Sequence, residues 1–143
     1  MKARDLMTSN PEFVTPDDTI SRAAQIMRDV DVGIVPVVED RDSMRLTGVI
    51  TDRDIAVRHV AEGHQEDCRV DAHMSSQRLG TVDANSDQDE VLNLMEREKV
   101  RRVPVVDEGD RLIGIIAQAD IATLVGPDDP EKVEEVVQKI SEP

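Results

Sequence analysis

The sequence predicts an α/β protein made of two similar half-units related by pseudo-twofold symmetry, followed by a short C-terminal helix. Three observations predict it. Val35-Pro36-Val37-Val38-Glu39 returns as Val103-Pro104-Val105-Val106-Asp107, a shift of 104 − 36 = 68. Gly48-Val49-Ile50, followed by Asp54-Ile55-Ala56, returns as Gly114-Ile115-Ile116 followed by Asp120-Ile121-Ala122, a shift of 114 − 48 = 66. The two missing residues fall where Asp40 to Arg45 shortens to Glu108 to Arg111, the kind of loss a surface turn tolerates. An internal repeat takes precedence over other sequence signals for fold, and solenoids need about three or more copies. Each copy, at roughly 60–70 residues, is marginal alone. The expectation is therefore a closed pair.

In the first copy Phe13-Val14-Thr15 reads as a short strand ended by Pro16. Asp17, Asp18 and Thr19 supply capping side chains for a helix. Ile20, Ala23, Ala24, Met27 and Val30 then recur at helical spacing, predicting one buried stripe. Ile34 to Val38 and Leu46 to Ile50 read as strands around a polar turn, and a second helix runs from Asp52 to Ala61, stopped by Gly63. The second copy repeats this order. A strand spans Leu79 to Asp83, and a helix carries Val91, Leu92 and Met95 inward, with Ser86 and Asp89 as its expected capping box. Strands follow at Val103 to Asp107 and Leu112 to Ile116, then a helix from Gln118 to Val125 closed by Gly126-Pro127. Each unit is strand–helix–strand–strand–helix. The expected domains are 1–66 and 67–126, with residues 64–73 a polar connector and 127–143 an acidic amphipathic helix. In that tail Pro130 suits a first helical position. Val133, Val136, Val137 and Ile140 form an apolar seam that either this chain or a partner subunit must bury.

Composition narrows the function classes. Apolar residues make up 38% of the chain, and Phe13 is the one aromatic, so there is no stacking platform for single-stranded bases. A net charge of −14 opposes binding to a phosphate backbone. No nucleic-acid partner is expected. No apolar run approaches a membrane span, and residues 1–20 lack a secretion signal. The single cysteine, Cys68, cannot form an intrachain disulfide. The expected location is cytoplasmic, with no membrane partner.

A helix, then Val-Pro-Val-Val-acid, a turn, and Gly-x-x-Thr/Ala-x-x-Asp-Ile, twice over, resembles the CBS domain, named for cystathionine β-synthase. Two copies resemble a CBS pair, or Bateman module, over residues 1–125. The lead-ins Asp5-Leu6-Met7-Thr8 and Asp71-Ala72-His73-Met74-Ser75 fit the same family. The likeness is to small stand-alone CBS-pair proteins, including the bacterial hypoxic-response type. The resemblance implies tandem CBS domains that sense an adenine nucleotide (AMP, ADP, ATP or S-adenosylmethionine) and dimerise as a flat disc.

At Gly48-Val49-Ile50-Thr51-Asp52-Arg53-Asp54 a strand gives way to a helix. Free amides and the dipole at a helix start suit an anion. The Thr51 hydroxyl can donate to phosphate and Asp54 can accept from both hydroxyls of a ribose, the roles that matching positions have in CBS pairs. Thr-x-x-Asp is equally a helix capping box that needs no ligand. The second copy keeps Asp120 but has Ala117 in place of the hydroxyl. Lys99, Arg101 and Arg102 precede a buried strand, where family members often place a cationic pair that holds phosphates, and two guanidiniums can grip phosphate oxygens. The other available reading is a salt-bridged helix end with Glu96 and Glu98. The two clefts between the copies are thus expected to differ. One joins Thr51, Arg53 and Asp54 with Arg101 and Arg102. The other, with Asp120 and Thr15, is empty or weak. Adenine is expected against backbone and aliphatic side chains at Val35 and Val103.

His64, Cys68 and His73 are read as part of the polar connector. Structural zinc sites have four ligands and this spacing matches no familiar one, so no metal site is assigned. Met7, Met27, Met74 and Met95 read as core fillers. No catalytic constellation is found, and no enzyme activity is expected. The leading reading is a regulatory binding module, homodimeric, that signals to an unidentified protein partner. The alternative is a ligand-free structural or dimerisation protein of stress response. The second helices bear surplus apolar residues, Ile55, Ala56, Val57 and Val60 with Ile121, Ala122, Leu124 and Val125, which a twofold contact would cover.

Overall fold

In the computed structural model, which describes residues 1–76 and 80–142, the first elements are α1 (Ala3–Leu6), β1 (Thr8–Ser9), α2 (Ile20–Val30), β2 (Ile34–Val38) and β3 (Leu46–Thr51). A short α3 (Asp52–Asp54) runs directly into a π-helix (Ile55–Val60), and a 3₁₀ turn covers Val70–Ala72. Then come β4 (Val82–Asp83), α4 (Gln88–Glu98), β5 (Arg102–Val106), β6 (Leu112–Ala117), α5 (Gln118–Leu124) and α6 (Pro130–Ser141).

The repeat is written into the backbone as well as the sequence. Helix α2 ends on Asp31 at φ 55° and α4 on Lys99 at φ 53°, both left-handed and 68 residues apart (99 − 31). The turns of the two hairpins place Met44 at φ 54° and Asp110 at φ 60°, 66 residues apart (110 − 44). Non-glycine residues seldom enter this region, so paired occurrences at both shifts mark one design built twice.

Contacts divide the chain into two compact units, Glu12–Leu79 on one side and Met1–Pro11 with Gly80–Pro143 on the other. These are not the repeats 1–66 and 67–126, because each lead-in packs in the unit of the other copy. In the second unit β1 pairs with β6 (Thr8 with Ile115, Ser9 with Gly114), giving a sheet of order β1-β6-β5-β4, antiparallel except for β4 on β5. In the first, β2 and β3 form the hairpin, and single bridges Val14–Val37 and Val49–Ser75 occupy the flanking positions. The expected strands at residues 13–15 and 79–83 are accordingly reduced to one bridge and to Val82–Asp83, with Leu79 outside the described residues. Gly48 and Gly114 make the exchange possible. Gly48 lies against Met74 and the Ser75 carbonyl, and Gly114 against Met7, in places where a Cβ would collide.

Each unit has its own core. Val14, Ile20, Ala23, Ile26, Val35, Val37, Ile50 and Val70 form one. The other centres on Val91, Leu92, Met95, Val103, Val105, Ile116 and Ile121. The stripe on α2 differs from expectation: Ile26 is buried, Ala24 is exposed, and Val30 is 47% exposed beside the helix end. The cap of α4 is also corrected. Asp87 is its N-cap residue, and the Ser86 hydroxyl instead accepts from the Asp83 amide at 3.2 Å, tightening the turn before the helix.

The C-terminal seam is buried by this chain. Asp129 caps α6 by accepting from the Lys132 amide, Pro130 opens it, and Val133, Val136 and Ile140 enter the core against α4 and α5. The helix expected over 52–61 loosens after one turn. Ala61 N–H donates to the Ala56 carbonyl and His64 N–H to that of His59, both five residues back, before Gly63 turns at φ 79°. Among the described residues no helix is long and apolar enough to cross a membrane.

Candidate functional site

Thr51 and Asp54 form a reciprocal box at the end of β3. The Thr51 hydroxyl accepts from the Asp54 amide and Asp54 Oδ2 accepts from the Thr51 amide, each at 3.0 Å. The residue is 8% exposed, and its second oxygen, Oδ1, faces Arg58 Nε at 3.7 Å. Arg58 also donates through Nη1 to the His73 carbonyl at 3.5 Å. Sequence reading missed Arg58, although its spacing four residues beyond Asp54 is the signal for a helical ion pair. Arg53 is exposed on the same turn.

Thr15 belongs to this unit too. Its hydroxyl donates to Asp17 Oδ1 at 2.5 Å, and its amide donates to Asp18 Oδ2 at 2.8 Å. The Thr15 hydroxyl beside it is what chiefly holds the Asp17 carboxyl below the usual carboxylate range. That hydroxyl is therefore engaged in a local turn. Val35 pairs with Ile50 and, at 1% exposure for the whole residue, lies in the core of its unit.

In the other unit Asp120 Oδ2 accepts from the Ala117 amide at 2.9 Å, half of the box, since Ala117 has no hydroxyl to reciprocate. Arg102 lies opposite Ala117 in the β5–β6 ladder, and Gln118 N–H donates to the Arg101 carbonyl at 2.8 Å. The arginine pair and Asp120 thus gather where β6 passes into α5. In the matching place of the first unit Asp52 N–H donates to Gly33, with no cation. Val103 pairs with Ile116, its side chain buried like that of Val35. Among the described residues Arg53, Arg101 and Arg102 form no ion pair, whereas Arg28, Arg45, Arg58, Arg69 and Arg97 each face a carboxylate. The expected partners Glu96 and Glu98 pair with Lys132 and Arg97 instead.

A hollow of about 840 Å³ in the second unit holds none of the expected residues. Asp83, Glu90, Asp107, Glu108 and Asp110 line it, an acidic wall that repels phosphate.

The residues assigned to the connector are brought together. His59 Nδ1 lies 3.3 Å from His73 Nε2, and Cys68 Sγ lies 3.8 Å from His64 Nδ1. Burial, with the neighbouring imidazoles, pushes the His73 pKa down, and partial burial with the Glu66 charge pushes the Cys68 thiol up. His59 was not singled out from sequence, since α-helical phasing gives no reason to turn it toward residues 64–73.

The duplicated hairpin-and-helix units, each with an aspartate at the strand-to-helix junction, define a tandem of α/β modules. A model of the CBS domain matches residues 3–59 and 70–127, and the chain belongs to that family. It is 42% identical to Hypoxic response protein 1 of Mycobacterium tuberculosis over 120 residues, 84% of this chain and 82% of that protein. A crystal structure of Hypoxic Response Protein I with two coordinated zinc ions superposes with a TM-score of 0.77 at 39% identity, covering 87% of this chain and 98% of that one. The CBS pair of protein MJ0100, in complex with 5′-methylthioadenosine and S-adenosyl-L-methionine, gives 0.75 at 27% identity, covering 89% and 97%. CBSX2 in complex with AMP gives 0.75 at 25% identity, covering 87% and 95%.

Proposed function

We propose that this chain is a cytoplasmic, non-catalytic sensor that binds an adenine nucleotide and signals its presence to a protein partner. The observation that carries this reading is Asp54. One of its oxygens is spent on the Thr51 amide and the other faces Arg58 Nε at 3.7 Å, a loose contact that ribose hydroxyls would have to share or displace, with a hydroxyl and a guanidinium on the same turn for phosphate. In the other unit Arg101 and Arg102 are candidate phosphate donors and Asp120 a second candidate ribose acceptor, whereas Thr15, Val35 and Val103 are buried and offer a base little surface. AMP, ADP, ATP and S-adenosylmethionine are the ligand set, in keeping with the AMP and S-adenosylmethionine complexes of the CBS pairs above.

A sensor matched to cellular nucleotide levels needs a Kd between micromolar and millimolar, about −8 to −4 kcal/mol. Calorimetry with the four ligands tests it. At 100 times Kd a true ligand stabilises the fold by about 2.7 kcal/mol. Asp54→Ala removes that response, and a flat thermogram for all four ligands would sink the sensor reading. The second reading, a ligand-free structural or dimerisation protein, is favoured by the fact that Thr51 and Asp54 satisfy one another unaided. It predicts that Asp54→Ala lowers stability by about 0.5–2 kcal/mol as a lost cap and changes no binding.

A further inference from the structure

We infer that His59, His64, Cys68 and His73 form a structural zinc site that pins the segment following the π-helix to its own unit. The chain contains three histidines and one cysteine, and all four converge on one place. The ligand atoms of His59, Cys68 and His73 lie within 4.8 Å of one another, and those of His64, Glu66 and Cys68 form a second such group that shares Cys68, with Glu66 Oε1 3.6 Å from His64 Nδ1. Tetrahedral zinc with Zn–N near 2.0–2.1 Å and Zn–S near 2.3 Å sets nitrogens about 3.4 Å apart and nitrogen from sulfur about 3.6 Å apart. The separations here are 3.3 Å for His59 Nδ1 to His73 Nε2 and 3.8 Å for His64 Nδ1 to Cys68 Sγ.

The four side chains come from backbone fixed in three places, with Cys68 held by a 2.9 Å bond from Ile20 N–H to its carbonyl. His59 sits in the π-helix, and His64 is joined to it by a 3.1 Å bond from His64 N–H to the His59 carbonyl. His73 closes the 3₁₀ turn, its amide donating to the Val70 carbonyl at 3.0 Å, and Val70 is fully buried. The other ring nitrogen of His64, Nε2, looks toward Glu62 Oε2 at 3.8 Å, the carboxylate–histidine arrangement that orients metal ligands. A local departure from α-helical register is frequent where a functional group must be aimed. Three imidazoles and a thiolate suit borderline-soft zinc and not magnesium or calcium, which take oxygen. With four protein ligands no position stays open for water, which makes the site structural.

The test uses the wild-type chain of residues 1–143, stripped of metal under reducing conditions and titrated with cobalt(II). The inference expects saturation at one equivalent, tetrahedral visible bands and a thiolate-to-cobalt charge-transfer band, with zinc(II) displacing the cobalt. In Cys68→Ser the charge-transfer band disappears. His59→Gln and His73→Gln weaken cobalt binding by more than the roughly 10–100-fold typical of losing an outer-shell partner. Circular dichroism confirms that the wild-type protein is folded during the titration. A folded wild-type chain without the charge-transfer band, or a band that persists in Cys68→Ser, overturns the site.

Discussion

Gly48 and Gly114 occupy equivalent places, yet a methyl group would meet different obstacles at each. At Gly48 it would run into the Ser75 backbone carbonyl as well as the Met74 methyl, while at Gly114 it meets side-chain atoms alone, Met7 from Sδ back to Cβ. Gly48→Ala should therefore cost about 1–3 kcal/mol, in the range for overpacking, and Gly114→Ala clearly less. Urea unfolding of the two variants gives the comparison, and equal losses would contradict it. Single residues also show how far sequence alone reaches. Thr51 and Asp54 were readable because a capping box has fixed spacing, and the box is present as expected. Ser86 misled because a hydroxyl near a helix start can serve either the helix or the turn before it, and here the Asp83 amide takes it. His59 was unreadable for a different reason: its direction depends on a hydrogen-bond register that periodicity does not encode.

Helix α6 shows the same division between elements and their destinations. Its start at Asp129-Pro130 and its apolar seam follow from local rules, whereas its docking on α4 is a tertiary outcome. Ile140 is 7% exposed in that contact, so Ile140→Ala should cost about 2–5 kcal/mol. The half-buried Val137 should lose less when cut to Ala. Chemical denaturation with a single transition would measure both, and an unchanged midpoint for Ile140→Ala would mean that the helix does not contribute to the core. The second helix of the first copy was expected to be uniform and is not. Ile55 to Val60 widen into five-residue bonding, while the matching α5 stays α-helical, and the two His-bearing turns occur only in the widened copy.

For the chain as a whole, a homodimer is expected on narrower grounds than the sequence suggests. Ile121 and Val125 are each 1% exposed and already serve their own unit's core. The surplus apolar surface is left to Val57, Val60 and Leu124, exposed by 45%, 64% and 38%. If those residues meet a second copy, Val57→Glu with Val60→Glu should convert a dimer to a monomer, as read by light scattering at micromolar concentration. A monomeric wild-type chain would remove the premise. The repeat and the family were readable because ordered blocks recur; the exchange of lead-ins was not, since a lead-in carries no mark of which strand edge it will join. That exchange bears on how the protein is made. Thr8 pairs with Ile115, so 115 − 8 = 107 residues separate them, and at about 5–20 residues per second the ribosome delivers the partner roughly 5–20 s later. Residues 12–79 are contiguous and can close while synthesis continues. The stretch around Thr8 must remain unclaimed until β6 has been made.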